Sequence, residues 1–272
     1  MNFQNHPSPV NLRFIAILLL FGFAGCGVQE YEQRLAETSR YFEFRERQDQ
    51  LLSPEWAGPG VKLRVPKLFT IYPTPPPENI RDEQGNTVRN PNFQGDNRQP
   101  TYINATLPGL VAGWQGTIES ATGEASKTLP CYMYLCSNRE IWLEEKAAER
   151  ATEFHKSVID SVTGPLGIFI QEDDWDTEKF PKANGYLVPK NYTFATKAPE
   201  QPINGESYEV SFYLHQVQDI QVALVMVMPQ NVDPRSKFEE SLTFCLQTLD
   251  VSGEKPRKDG GSGTATPSGA NF

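Results

Sequence analysis

Histidine is nearly absent from this chain, with three residues in 272, and only four cysteines and four methionines accompany it. Zinc-type metal sites need several Cys and His at short spacing, and neither Cys-x-x-Cys nor His-Glu-x-x-His occurs. Gly-x-Ser-x-Gly, Gly-x-Gly-x-x-Gly and the P-loop pattern are missing too, which removes the commonest signatures of an activated nucleophile or a phosphate cradle. Four cysteines are also too few for a disulfide scaffold. Positive charge is scarce: 25 Lys and Arg stand against 34 Asp and Glu, a net charge of −9. Without a basic patch to neutralise phosphates, nucleic acid is excluded as a partner.

At 38% apolar and 11% aromatic residues the chain can bury a core, and its length allows one or two domains of about 100–200 residues. The first 25 residues hold one formal charge, Arg13, followed by an apolar run from Phe14 to Ala24. A basic residue, an apolar stretch of about 11 residues and small residues at its end describe a secretory signal. A transmembrane anchor needs ~20 apolar residues to cross ~30 Å of hydrocarbon, and Gly25, Cys26 and Gly27 close the run too early. The sequence Phe23-Ala24-Gly25-Cys26 resembles the lipobox of bacterial lipoproteins, with Phe23 where leucine is usual. The resemblance implies a lipidated Cys26 at the mature N-terminus and a protein held on the bacterial cell envelope, facing the periplasm or exterior. Two or more acyl chains would anchor it stably, each buried methylene contributing about 0.8 kcal/mol. Ordinary cleavage to a soluble secreted chain, or a Cys26 paired with another cysteine, are the alternatives.

Residues 26–57 read as the anchor and a membrane-proximal helix. No proline or glycine interrupts 28–52, and Glu30–Arg34 and Glu43–Arg47 are favourable i,i+4 pairs. A heptad seam fails at Arg45 and Asp49, which favours a single helix over a coiled coil. Val61–Val65 alternates as a strand, and Pro66 at its end points to an edge position. Residues 73–105 read as a Pro-rich loop insertion with few apolar anchors. Gly109–Ser120 and Leu129–Cys136 form a strand pair, with Leu110, Ala112, Trp114 and Ile118 on one face. Ser137-Asn138-Arg139-Glu140 fits a capping box opening one helix through Val162, and Gly164-Pro165 stops it. Tyr192–Thr196 is a further strand. Tyr208–Leu214 and Ile220–Met228 make a long hairpin, and Asp233-Pro234 opens a last helix with Phe238, Leu242, Cys245 and Leu249 inward. From Ser252 the composition is that of a disordered tail, 253–272.

The expected class is α+β: an antiparallel sheet of about 5–7 strands with two packed helices over 58–252, preceded by the membrane-proximal helix and followed by the tail. The Val61–Val65 strand with Pro66 and Phe69, the hairpin 207–228, and the Phe238-x-x-x-Leu242 helix running into Leu249-Asp250-Val251 resemble the PsbP-type α/β/α sandwich. That fold occurs in lipoproteins and accessory subunits that bind partners, so the resemblance implies binding rather than chemistry.

Few residues offer chemistry. His6 leaves with the signal, and His155 and His215 read as surface or satisfied core groups. In the acidic run Glu172–Glu178, Asp174, Asp176 and Glu178 copy the rhythm of a calcium loop, but Lys179 replaces the turn glycine and no glutamate stands at the twelfth position. Cys131 and Cys136 face opposite sides of a strand and so do not bridge each other; either could pair with Cys245, or all three stay free. Tyr132, Tyr134, Trp142 and Trp175 are candidates for a binding surface, since Tyr and Trp concentrate at interfaces, and they read equally as core. The expectation is a non-catalytic, membrane-anchored lipoprotein without a cofactor, binding an envelope protein or wall polymer. A tethered hydrolase using carboxylates such as Glu172 and Asp174, and a self-assembling envelope protein, are the other readings.

Overall fold

The computed structural model describes residues 10–257 except 123–124, 145–146 and 182–186, and omits the side chains of 10–28, 122 and 125. The start of the expected signal and the tail from 258 therefore lie outside the described residues, as does the Cys26 side chain. Two compact units are present, residues 1–50 and 51–272.

The first unit is helical: α1 (Val10–Leu51) runs without a break for 42 residues. Local ties support it. Arg34 Nη2 lies 2.6 Å from Glu30 Oε1, and Gln33 Nε2 donates to Glu37 Oε1 at 3.0 Å, both at the favourable i,i+4 spacing. Tyr31, Leu35 and Phe42 are exposed. Among the described residues, no helix is long and apolar enough to cross a membrane.

The second unit is α+β. Its strands are β1 (Leu52–Gly58), β2 (Val61–Pro66), β3 (Phe69–Ile71), β4 (Asn79–Arg81), β5 (Thr87–Arg89), β6 (Leu110–Thr122), β7 (Ala125–Ser137), β8 (Asp176–Phe180), β9 (Lys190–Lys197), β10 (Tyr208–Val217), β11 (Ile220–Pro229) and β12 (Asp250–Val251). Its helices are α2 (Ala147–Thr152), α3 (Phe154–Leu166) and α4 (Phe238–Thr248). Seven strands make one antiparallel sheet in the order β3-β6-β7-β11-β10-β9-β8. β11 is central and buried along its whole length, as a strand covered on both faces must be.

Strand periodicity sorts the core into two layers. Tyr134 and Cys136 of β7, Val210 and Phe212 of β10, and Ala223, Val225 and Val227 of β11 pack under α2 and α3 through Ala151, Phe154, Val158 and Val162. On the opposite face Tyr192 Oη donates to Leu246 O of α4 at 2.7 Å. α4 is held from its other side by β2, where the Arg64 amide donates to Thr248 Oγ1 at 3.0 Å.

Several local expectations change. β2 is not an edge strand: it lies between β1 and β12, and Pro66 occupies its last position, where a missing N–H breaks little. Residues 52–57, read with the membrane-proximal helix, instead belong to β1. Leu110 leaves the Ala112–Trp114–Ile118 face, because a register shift between Leu110 and Ala112 turns it toward the α3 layer. The capping box does not form, and the expected single helix is broken into a 3-10 turn (Glu140–Leu143), α2 and α3. Pro165 lies inside α3, whose stop is Gly167 in the left-handed conformation at φ 61°. The Pro-rich loop carries the β4–β5 hairpin, and the chain that follows it is pinned by Arg98 Nη1 donating to Val111 O at 2.7 Å. Ile103 and Leu107 enter the α3 layer beyond it.

Candidate functional site

The sequence candidates fall in four separate places. Asp174 Oδ1 pairs with Lys197 Nζ at 2.7 Å while Oδ2 accepts the Gln171 amide at 2.8 Å. Together these hold its carboxyl below the usual range, the Lys197 bond being the larger cause. Asp176 and Glu178 follow on the edge strand β8 rather than around a loop. Among the described residues, no group of three His, Cys, Asp or Glu is placed to hold a metal ion.

Tyr132 and Tyr134 stack at 6.5 Å beside Tyr102, whose hydroxyl donates to Tyr134 Oη at 3.0 Å. Tyr134 is fully buried, and burial pushes its phenol up. Trp142 stands instead at the β10–β11 turn, donating to Asp219 O at 3.3 Å beneath Lys255 Nζ, 3.7 Å from the ring centroid. Trp175 packs on Phe212 at 6.4 Å. These four aromatics do not converge on one surface.

Cys131, Cys136 and Cys245 are buried free thiols. Burial pushes Cys131 and Cys136 up to about 12 and Cys245 higher still, so none is a thiolate nucleophile near neutral pH. His155 Nε2 lies 3.1 Å from Val222 O, and His215 Nδ1 lies 2.8 Å from Asn191 O. Burial is the chief cause lowering both imidazoles.

One concavity of the second unit was not singled out by sequence reasoning. A cleft of about 640 Å³ separates the β9–β10 surface from the first turns of α4. Thr196, Glu209, Ser211 and Tyr213 form one wall, continued on β11 by Met228 and Pro229, and Lys237, Phe238, Glu239 and Leu242 form the other. Register explains the first wall. Ser211 is paired with Thr196 and Tyr213 with Phe194, so the polar residues alternating with Val210 and Phe212 all face away from α3. Thr196 Oγ1 and Ser211 Oγ are 2.8 Å apart, and Phe194 stacks on Tyr213 at 5.8 Å with 13° between the rings. Burial, then the carboxylate of Glu178, with further contributions from Cys245 and Glu239, pushes the Tyr213 phenol up to about 12.

The second wall depends on a backbone feature. Asp233 caps a 3-10 turn (Pro234–Ser236) by accepting the Arg235 amide at 2.8 Å, and Lys237 then adopts the left-handed conformation at φ 53° before α4 begins. The last helix therefore begins at Phe238 instead of running on continuously from Pro234. The sequence signal was present in the alternation of Glu209, Ser211 and Tyr213, which reads as a solvated face until α4 is placed opposite it.

No protein-family model matches the chain, and none of the curated proteins matches it. Three solved chains do. One is a crystal structure from Bacteroides thetaiotaomicron VPI-5482, with a TM-score of 0.34 and 7% identity, over 73% of this chain and 48% of that one. This chain thus spans about half the length of that structure.

Proposed function

We propose that the protein is a bacterial envelope lipoprotein, anchored through acylated Cys26, whose second unit binds a partner. One observation carries the reading. A short apolar run behind Arg13 ends in Phe23-Ala24-Gly25-Cys26 and gives way at once to the charged stretch of α1. An apolar segment this short matches a cleaved signal better than a span. The charged stretch then serves as a spacer of about 1.5 Å per residue before the folded unit. Helices on opposite faces of one antiparallel sheet support a PsbP-type sandwich for that unit, and with it a binding role.

The test is metabolic labelling with palmitate in a bacterial host, followed by mass spectrometry of the N-terminal peptide. Wild type is expected to carry acyl chains on Cys26 and to partition with membranes. Cys26→Ala is expected to lose both. An unmodified mature terminus at any other residue would overturn the anchor.

A further inference from the structure

We propose that the cleft between β10 and the first turns of α4 receives an extended, basic segment of a partner polypeptide, with Lys or Arg side chains against Glu209 at one end and Glu239 at the other. The charge of the lining is the first reason. Two exposed carboxylates of its lining, Glu209 and Glu239, stand against the cation Lys237, while Glu240 has a partner of its own. Asp233 is held by Arg235, at 2.5 Å. A net-acidic cleft on a chain of net charge −9 repels anionic ligands and steers cationic ones toward it.

The aromatic part of the first wall is the second reason. Tyr213, half-buried, offers aromatic surface beside the carboxylates, and Phe194 stacked on it keeps that ring in place. A guanidinium can stack on an aromatic face while its fork bonds a carboxylate, and a Lys stem packs on the same apolar surface. The Thr196–Ser211 hydroxyl pair, midway along the wall, can donate to or accept from peptide backbone.

Spacing selects a chain over a compact ion. Glu209 and Tyr213 are four residues apart on β10, about 13 Å in a strand, and the Glu239 carboxylate lies on the Tyr213 side. An extended peptide with cations four positions apart repeats that distance. This rests on the binding role proposed above, and peptide affinity does not report acylation, so the failure of one is distinguishable from failure of the other.

The experiment is calorimetric titration of the full mature chain in detergent micelles at low salt. The ligands are a peptide with two arginines four positions apart, the same peptide with two citrullines, and spermidine. The arginine peptide is expected to bind. The paired variant Glu209→Gln/Glu239→Gln is expected to weaken it about tenfold, the scale of two lost exposed ion pairs. Both side chains are exposed, so the fold is retained, and a thermal melt checks this. Lys237→Asn removes the opposing cation while suiting a left-handed position, and is expected to tighten binding. Absent binding, equal binding of the citrulline peptide, or equal weakening by Glu83→Gln/Glu149→Gln would each overturn the proposal. Spermidine binding as tightly as the peptide would replace the polypeptide with a free polyamine.

Discussion

Asn138→Ala is the substitution most informative about how the second unit is held together. Asn138 is fully buried at the end of β7. Its Nδ2 donates to Ala151 O and to Asp219 O, each at 3.0 Å, and its Oδ1 accepts the Gln221 amide at 2.9 Å. One amide therefore joins the end of α2, the β10–β11 turn and the start of β11. Alanine would strand the Gln221 N–H and the Ala151 carbonyl, while Asp219 O keeps the Trp142 indole donor at 3.3 Å. Two orphaned buried groups at ~1–3 kcal/mol each, with little relief from the third bond, put the loss at about 3–4 kcal/mol. That is a large share of the ~5–15 kcal/mol that holds a typical domain. It corresponds to a fall in Tm of roughly 6–15 °C for a unit of this size class. Urea unfolding and calorimetry of wild type and variant measure it. Gln221, which accepts the His155 amide at 3.1 Å and donates to Thr152 O at 3.0 Å, closes a double-mutant cycle that should show coupling with Asn138. A cost below about 1 kcal/mol for Asn138→Ala would refute the argument that buried orphan groups dominate here.

Three further outcomes follow from the same structure. Burial depresses His155 and His215, so the unfolded chain binds protons at a higher pH than the folded one does. Stability is then flat above about pH 6.5 and falls as pH drops below it, levelling once the folded values are passed; urea midpoints across that window should show the slope, and His155→Gln/His215→Gln should reduce it. Thiol-reagent labelling of Cys131, Cys136 and Cys245, raised by burial, should be negligible in native buffer and complete in denaturant; rapid native labelling would contradict their burial. Gly109 has φ 57°, and an added Cβ would sit 2.3 Å from Ser137 O and 2.9 Å from the Phe154 ring. Gly109→Ala should therefore cost about 2 kcal/mol or more, read from the shift in urea midpoint, and a neutral result would show that the β7 end yields.

Much of the fold is legible in the residues because its strands alternate. The β6–β7 and β10–β11 hairpins, the Tyr208–Leu214 face and the helix after Val28 all follow from local pattern. The capped helix fails for a specific reason. Ser137 Oγ accepts the Arg139 amide at 3.2 Å, and Asn138 turns inward to three distant backbone groups instead of supporting a cap. Those partners are 13 to 83 residues away in sequence, beyond the reach of any local rule. β1 was missed because Ser53-Pro54-Glu55 carries no alternation, and its pairing with β2 includes an irregularity between Leu52 and Glu55. The candidate cleft was hidden for a related reason: exposed polar residues on β10 become a wall only when α4 stands opposite them.

By itself the sequence determined the short apolar segment ending at Cys26, the charged helix after it, the acidic balance and the alternation that makes one antiparallel sheet. These depend on composition and on contacts between near neighbours. Tertiary structure alone decided that β2 is central, that Leu110 changes face at a bulge, that the three cysteines of the folded unit stay free and buried, and that a cleft opens beside α4. Each of these requires residues from distant segments to meet, and such meetings are set by the packing of the whole unit rather than by any one stretch of it.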